Sequence, residues 1–308
     1  MTKAVAVPLD SYKVIEHAQP IACFICNEQN NVSAPFCRHC QAPLALAHQA
    51  ATQKSPPRMV AVVGATGVGK TVYLGMLVDM LSRRVHPLQI LARGAFSITL
   101  QQTAVAALAQ CRFPEKTPNE PERWNWVHCQ IRRPRTRRTL ELIVPDMSGE
   151  AILEEVEHPH TTPVISAFLK KCCATMILVD AARLDDGLRD QEYFSMKFVS
   201  YLAELDPHPK TGWAHRPVAV VLTKADRAAG CRDDPEAYAR SHAAGLWQQC
   251  SQRLQVCRFF AAGVAGGSAL CVLRDGRRVQ VPLRVEPHGI VEPFDWLLER
   301  LNRRKPSA

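Results

Sequence analysis

No stretch of the chain reaches the roughly 18 consecutive apolar residues that a membrane-spanning helix needs, so no span is expected. Glycine is scarce at 15 of 308 residues and follows no fixed period, which excludes collagen-like and low-complexity classes. Aromatic residues reach only 6%, yet 47% of the chain is apolar, enough for a sizeable buried core and too much for a disordered chain. The opening Met1-Thr2-Lys3 leads into no unbroken apolar core and no small-residue cleavage site. A cytoplasmic protein is therefore expected rather than a secreted one.

The twelve cysteines do not form one framework. Eight are scattered through apolar segments and read as core or surface thiols, because a reduced cysteine behaves as a small hydrophobe. The other four, Cys23, Cys26, Cys37 and Cys40, form two C-x2-C pairs ten residues apart. Four thiolates at that spacing suit a closed, tetrahedral, structural Zn2+ site, and residues 21–46 are expected to fold as a zinc ribbon. His39 and His48 read as bystanders. The formal net charge is +9. Within residues 1–50, Lys3, Lys13 and Arg38 balance Asp10, Glu16 and Glu28, so the positive excess belongs to the remainder. With Zn2+ and four thiolates the ribbon would carry net negative charge, which favours a protein partner over a phosphate backbone.

Residues 1–20 form an N-terminal extension without clear period, and 47–57, with Lys54-Ser55-Pro56-Pro57, read as a linker. Beyond it, short β-rich runs alternate with helical patterns. Strands are expected at Met59–Val63, Trp124–Ile131, Thr139–Val144, Ala174–Val179, Pro217–Leu222 and Leu254–Phe260. Helices are expected at Thr71–Leu81, Ile152–Lys170, Gln191–Leu205 and Pro235–Ser251. This alternation predicts a three-layer α/β domain over 58–308 with a mixed, mostly parallel sheet. A hairpin across Arg132–Arg138 is expected at one sheet edge, and a second at Leu270–Val285 turning at Asp275-Gly276.

Gly64-Ala65-Thr66-Gly67-Val68-Gly69-Lys70-Thr71 matches G-x-x-x-x-G-K-[ST] between a strand and a helix. Backbone N–H groups of such a loop, continuing to Val72, cradle phosphates at the helix N-terminus. Lys70 would reach the β and γ phosphates, and the Thr71 hydroxyl would ligate Mg2+. Asp146, at a strand end and followed by Gly149, is the candidate Mg2+ carboxylate within Asp146-Met147-Ser148-Gly149-Glu150. Gly149 would offer its N–H to the γ-phosphate. Asp180, at another strand end, reads as a turn residue. Thr117 is the loop threonine placed to close over Mg2+, and Thr103, Thr136 and Thr139 fit that role less well.

Thr223-Lys224-Ala225-Asp226 follows an apolar strand and matches [NT]-K-x-D. Asp226 would accept from guanine N1–H and its amine, groups that adenine lacks there, while Lys224 lies along the purine. Ala262, after the next strand, is the candidate backbone donor to guanine O6. Glu150 stands where many GTPases place glutamine; it could accept a proton from water but would repel a γ-phosphate without a nearby cation.

In this order the motifs resemble the TRAFAC P-loop GTPases. Gly69–Leu74, Phe113-Pro114-x-x-Thr117, Ser148-Gly149-Glu150, the C-terminal hairpin leading into Glu292–Leu298, and the ribbon more narrowly resemble bacterial double-GTPases. The resemblance implies Mg2+-dependent GTP/GDP binding, slow hydrolysis accelerated by a partner, and a paired NTPase switch in multi-gene bacterial systems, defence modules among them. The ribbon's expected partner is a protein, with a second GTPase among the candidates. The alternative is a nucleic-acid-binding adaptor whose G domain holds nucleotide with little turnover, and an ATPase would require Thr223–Asp226 to be coincidental. Five arginines within Arg132–Arg138 could meet nucleic acid or an acidic membrane surface, but no interleaved aromatics offer a stacking platform, and a solvated turn is the expectation. His158-Pro159-His160 reads as a loop. Trp124 and Trp126 read as packing or interface residues.

Overall fold

A computed structural model describes residues 19–53, 57–83, 88–132, 139–205, 207, 212, 214–272 and 276–303. Most of the N-terminal extension, Lys54–Pro56, Arg133–Arg138 and Asp275 lie outside the described residues. Two short strands, β1 (Ile21–Ala22) and β2 (Gln29–Asn30), pair antiparallel and carry the first two cysteines between them. Helix α1 (Ala45–Ala51) follows. It occupies the first half of the stretch expected as linker. Ala-rich sequence favours the helix, and Leu46 and Ala47 are buried by it.

The remaining elements run β3 (Arg58–Gly64), α2 (Lys70–Ser82), β4 (Gln89–Arg93), α3 (Ala95–Ala109), β5 (Asn125–Arg132) and β6 (Thr139–Asp146). Then come α4 (Gly149–Glu157), α5 (Pro163–Lys171), β7 (Ala174–Asp180), α6 (Ala181–Asp185) and α7 (Asp190–Leu205). The chain continues through β8 (Val218–Thr223), α8 (Pro235–His242), α9 (Ala244–Arg253), β9 (Cys257–Ala261), β10 (Gly263–Val272), β11 (Arg278–His288) and α10 (Glu292–Arg303). Seven strands form one sheet in the order β4-β5-β6-β3-β7-β8-β9. From β6 to β9 the pairing is parallel, whereas β4–β5 and β5–β6 are antiparallel.

The pleat of β3 sorts its side chains to two faces. Met59, Ala61 and Val63 join one core, beside α4, α5, α7, α8 and α9. Val60 and Val62 join the other, beneath α2, α3 and α10. Period-2 alternation with apolar residues on both faces is what a central parallel strand requires. The expected three layers are present, and β10–β11 form the expected second hairpin outside the sheet.

Three expectations change, and a fourth, left open between packing and interface, is decided. The β5–β6 hairpin is not at the sheet edge, because β4 pairs along the outer side of β5. That strand is only five residues long with one fully buried position, too little alternation to read. The expected helix over Ile152–Lys170 is two helices. Pro159 and Pro163 interrupt it, and the buried Glu155 carboxylate accepts the freed N–H groups of His160 (3.0 Å) and Thr162 (2.8 Å). The expected helix over Pro235–Ser251 also divides, at Ala243, where Glu192 accepts from Gly245 N at 2.8 Å and caps α9. Trp124 and Trp126 are both buried packing residues and are not available to an interface.

The ribbon does not stand apart. Cys23, Ile25, Cys37, Cys40 and Leu44 share one contiguous apolar core with Trp124, Trp126, Ile165 and Phe168. Lys171 at the end of α5 donates to Phe24 O (3.0 Å) and Asn27 Oδ1 (2.7 Å). Gln49 of α1 meets His128 Nδ1 of β5 at 2.9 Å. Phe168 lies edge-on to Trp126, centroids 5.7 Å apart, at the middle of this core. Phe168→Ala is expected to cost about 3–5 kcal/mol in a urea unfolding curve; a loss below about 1 kcal/mol would mean that this core is not as continuous as described.

Candidate functional site

The loop after β3 turns through Gly67 (φ 78°) and Gly69 (φ 96°), left-handed positions that favour glycine, before α2 begins. Thr66 to Val72 line a cavity of about 380 Å3, within the range of small-molecule sites. Gly64 and Ala65, expected among the phosphate contacts, stand behind this lining. Their carbonyls accept from Lys70 Nζ at 2.8 Å and 3.2 Å. Burial pushes the Lys70 ammonium down to about 8, while the nearby Asp146 carboxylate works to raise it.

Three oxygens meet at one corner of the loop. Thr71 Oγ1 donates to Asp146 Oδ2 at 2.9 Å, Thr117 Oγ1 donates to the same oxygen at 3.3 Å, and the two hydroxyls are 3.0 Å apart. Asp146 is buried, and among the described residues its Oδ1 has no hydrogen-bond partner. Burial pushes its carboxyl up, against hydrogen bonds from the threonines and the charge of Lys70. Two hydroxyls and one carboxylate, all oxygen, fit Mg2+, which binds through few protein ligands and keeps several waters. Thr103 lies within α3 and Thr139 opens β6, away from this corner, and Thr136 is outside the described residues.

Ser148 caps α4, and Gly149 lies directly against the phosphate loop. A Cβ on Gly149 would come within 2.6 Å of Thr66 N and 2.8 Å of Gly64 O. Glu150 is half exposed and does not itself line the cavity, although its neighbour Gly149 does. Lys116 forms an ion pair with it and Asn119 Nδ2 donates to it at 3.0 Å, and these two hold its carboxyl below the usual range. Lys116 also lines the cavity. It is the cation that a carboxylate at this position needs, and the sequence alone did not single it out.

Among the base-side candidates, Thr223, Lys224 and Asp226 all line the cavity. The Thr223 hydroxyl donates to Val68 O (2.9 Å) and Val179 O (3.2 Å), tying β8 to the phosphate loop instead of reaching a base. Lys224 Nζ donates to Gly67 O at 2.9 Å and pairs with Asp180. Asp180 also caps α6, as a strand-end turn residue should. Asp226 is exposed at the cavity, and partial desolvation there pushes its carboxyl up, against the charges of His288, Arg227 and Lys224. Ala262 is a correction: its N–H donates to Leu222 O at 2.8 Å, so the sheet already uses the donor intended for guanine O6. The far wall belongs to the second hairpin, through Ser268 and Gln280, whose side chains bond at 2.9 Å. No contiguous motif marked them, because the hairpin's return brings them there.

At the ribbon, the four cysteine sulfurs lie within 4.8 Å of one another, with Cys23–Cys40 at 3.7 Å and Cys26–Cys37 at 3.5 Å. Zn–S bonds of about 2.3 Å in a tetrahedron require sulfurs roughly 3.8 Å apart, so the set fits zinc. The N–H groups of Ile25 and His39 point to Cys23 Sγ and Cys37 Sγ, each at 3.4 Å. Neither His39 nor His48 belongs to the cluster, and among the described residues His158 and His160 join no metal-ligand group. Gly149→Ala is expected to weaken nucleotide binding roughly tenfold or more by pushing on the phosphate-loop backbone, with circular dichroism unchanged. Equal nucleotide affinity in an equilibrium titration would mean that the loop and α4 can separate freely.

No curated protein matches the chain. A small GTPase, Arl6 BBS3 from Trypanosoma brucei, solved with the bound nucleotide analogue GppNp, is similar at 15% identity and a TM-score of 0.42, over 81% of this chain and 99% of that one. No described helix is long and apolar enough to cross a membrane. A family model described as Double-GTPase 2 matches residues 58–265, from the first residue of β3 into β10. The chain belongs to the Double-GTPase 2 family.

Proposed function

We propose that the protein is a Mg2+-dependent GTPase that works as a switch. The observation carrying this reading is that Thr71, Thr117 and Asp146 meet beside the same cavity that Asp226 lines. In this reading Lys70 and the loop N–H groups bind the phosphates, and Thr71, Thr117 and Asp146 hold Mg2+. The metal when bound neutralises phosphate charge. Lys224 lies along the purine, and Asp226 selects guanine by leaving itself unsatisfied with adenine. Gly149 presents its N–H toward the γ-phosphate.

Glu150 is the candidate to orient and deprotonate the attacking water, with Lys116 offsetting its repulsion of phosphate. In the described state its oxygens are held by Lys116 and Asn119, so it must exchange at least one of those partners to reach a water. That requirement accords with slow intrinsic turnover and with acceleration by a partner that moves the Thr117 loop. A protein partner at the ribbon would have to use the side turned away from Trp124 and Lys171, since the inner side is already packed.

Competition of GTP and ATP against a fluorescent guanine nucleotide, with Mg2+, tests the base assignment. ATP is expected to compete about a hundredfold more weakly than GTP, and Asp226→Ala to remove at least tenfold of the GTP affinity. Equal competition, or an unaffected variant, would end the guanine reading. For hydrolysis, single-turnover phosphate release by Glu150→Ala should slow by about a hundredfold at unchanged GTP affinity, whereas wild-type turnover would remove Glu150 from the mechanism.

A further inference from the structure

The loop that carries Thr117 has no strand or helix of its own between residues 112 and 120, so something outside it must fix where Thr117 points. Three successive residues are tethered. Thr117 reaches Asp146, Asn119 bonds both Ser148 and Glu150, and between them the Pro118 carbonyl accepts from Trp124 Nε1 at 2.8 Å. Proline has no N–H, so this carbonyl is the only backbone hydrogen-bonding group that Pro118 offers. Trp124 in turn is 1% exposed, and the core that seats it is the one containing Cys23, Ile25, Cys37 and Cys40 of the ribbon.

Resting on the GTPase reading above, we infer that Trp124 is a positioning residue that couples the ribbon to the Mg2+ corner. The ribbon seats the indole, the indole N–H pins the Pro118 carbonyl, and the pinned peptide holds the Thr117 hydroxyl beside Thr71 and Asp146. Loss of the indole N–H leaves a carbonyl without its partner and frees the peptide next to Thr117. Unfolding of the ribbon removes the packing behind the indole and has the same consequence. Mg2+ affinity in the GTP complex and integrity of the ribbon are therefore linked, each favouring the other.

The first test uses the full zinc-loaded chain and its Trp124→Phe variant, which keeps an aromatic ring and deletes the N–H. GTP binding is titrated against Mg2+ and also measured in chelator without Mg2+. The variant is expected to need about tenfold more Mg2+ for half-maximal binding while its Mg2+-free affinity stays that of the wild type. The Mg2+ shift should vanish in a Thr117→Ala background, because the two substitutions act through one group. Equal Mg2+ midpoints, or an equal loss with and without Mg2+, would overturn the positioning role, the latter being the mark of general destabilisation.

The second test needs no variant and no nucleotide. Hydrogen exchange of wild-type peptides spanning 112–124 is compared before and after zinc is stripped with a chelator. Faster exchange in that loop is expected, and an unchanged rate once the ribbon has opened would overturn the coupling. A wild type that binds no guanine nucleotide would sink the GTPase reading, yet this exchange measurement would still decide whether the ribbon governs the loop.

Discussion

A carboxylate buried as deeply as Asp146 is costly unless it is answered by donors or charge, and this one draws its answers from two separate segments. Thr71 comes from the start of α2, Lys70 from the same turn, and Thr117 from the loop before β5. The two hydroxyls have to be delivered to within hydrogen-bond reach of one strand end, and the ammonium close enough to act through its charge. The parallel pairing of β6 with β3 does most of that work, because it brings the end of β6 beside the phosphate loop. Gly149 then keeps the spacing: without a Cβ, the chain after Asp146 can lie on the loop backbone.

The same strand order explains why the base-side residues fall where they do. Strand β8 is parallel to β7, and β7 to β3, so Thr223 emerges at the edge where the phosphate loop emerges. Its hydroxyl ties that loop to β8, so the residues proposed for phosphate and for base are joined by a direct hydrogen bond. The hairpin β10–β11 encloses the cavity on the remaining side, and most of it lies beyond the residues that the family model matches.

The ribbon changes the picture of a small module on a tether. Zinc ribbons have little apolar material of their own, and here the cysteines and Leu44 are built into the core on one face of the sheet. Burial of that face against α5 and β5 leaves the ribbon less free surface for a partner. It also puts the four-cysteine element in the same core as Trp124, whose indole N–H donates to Pro118 O in the Thr117 loop.

Residue types at fixed short spacing were enough to identify the phosphate loop, Asp146 with Gly149, Thr223–Asp226 and the four cysteines, because each of those signals is set by local chain geometry. Alternation of β-rich runs with helical periods was enough for the layers, since pleat and helix pitch are local too. Tertiary structure alone decided that β4 closes the sheet edge, that the Ala262 N–H is spent on Leu222, that Lys116 faces Glu150 and that the ribbon shares its core with Trp124. Those outcomes rest on contacts between segments far apart in the chain, where a hydrogen-bonding group takes whichever partner the fold brings nearest. No motif records that choice, which is why the short motifs could be read from the sequence while the partners that the fold gives them could not.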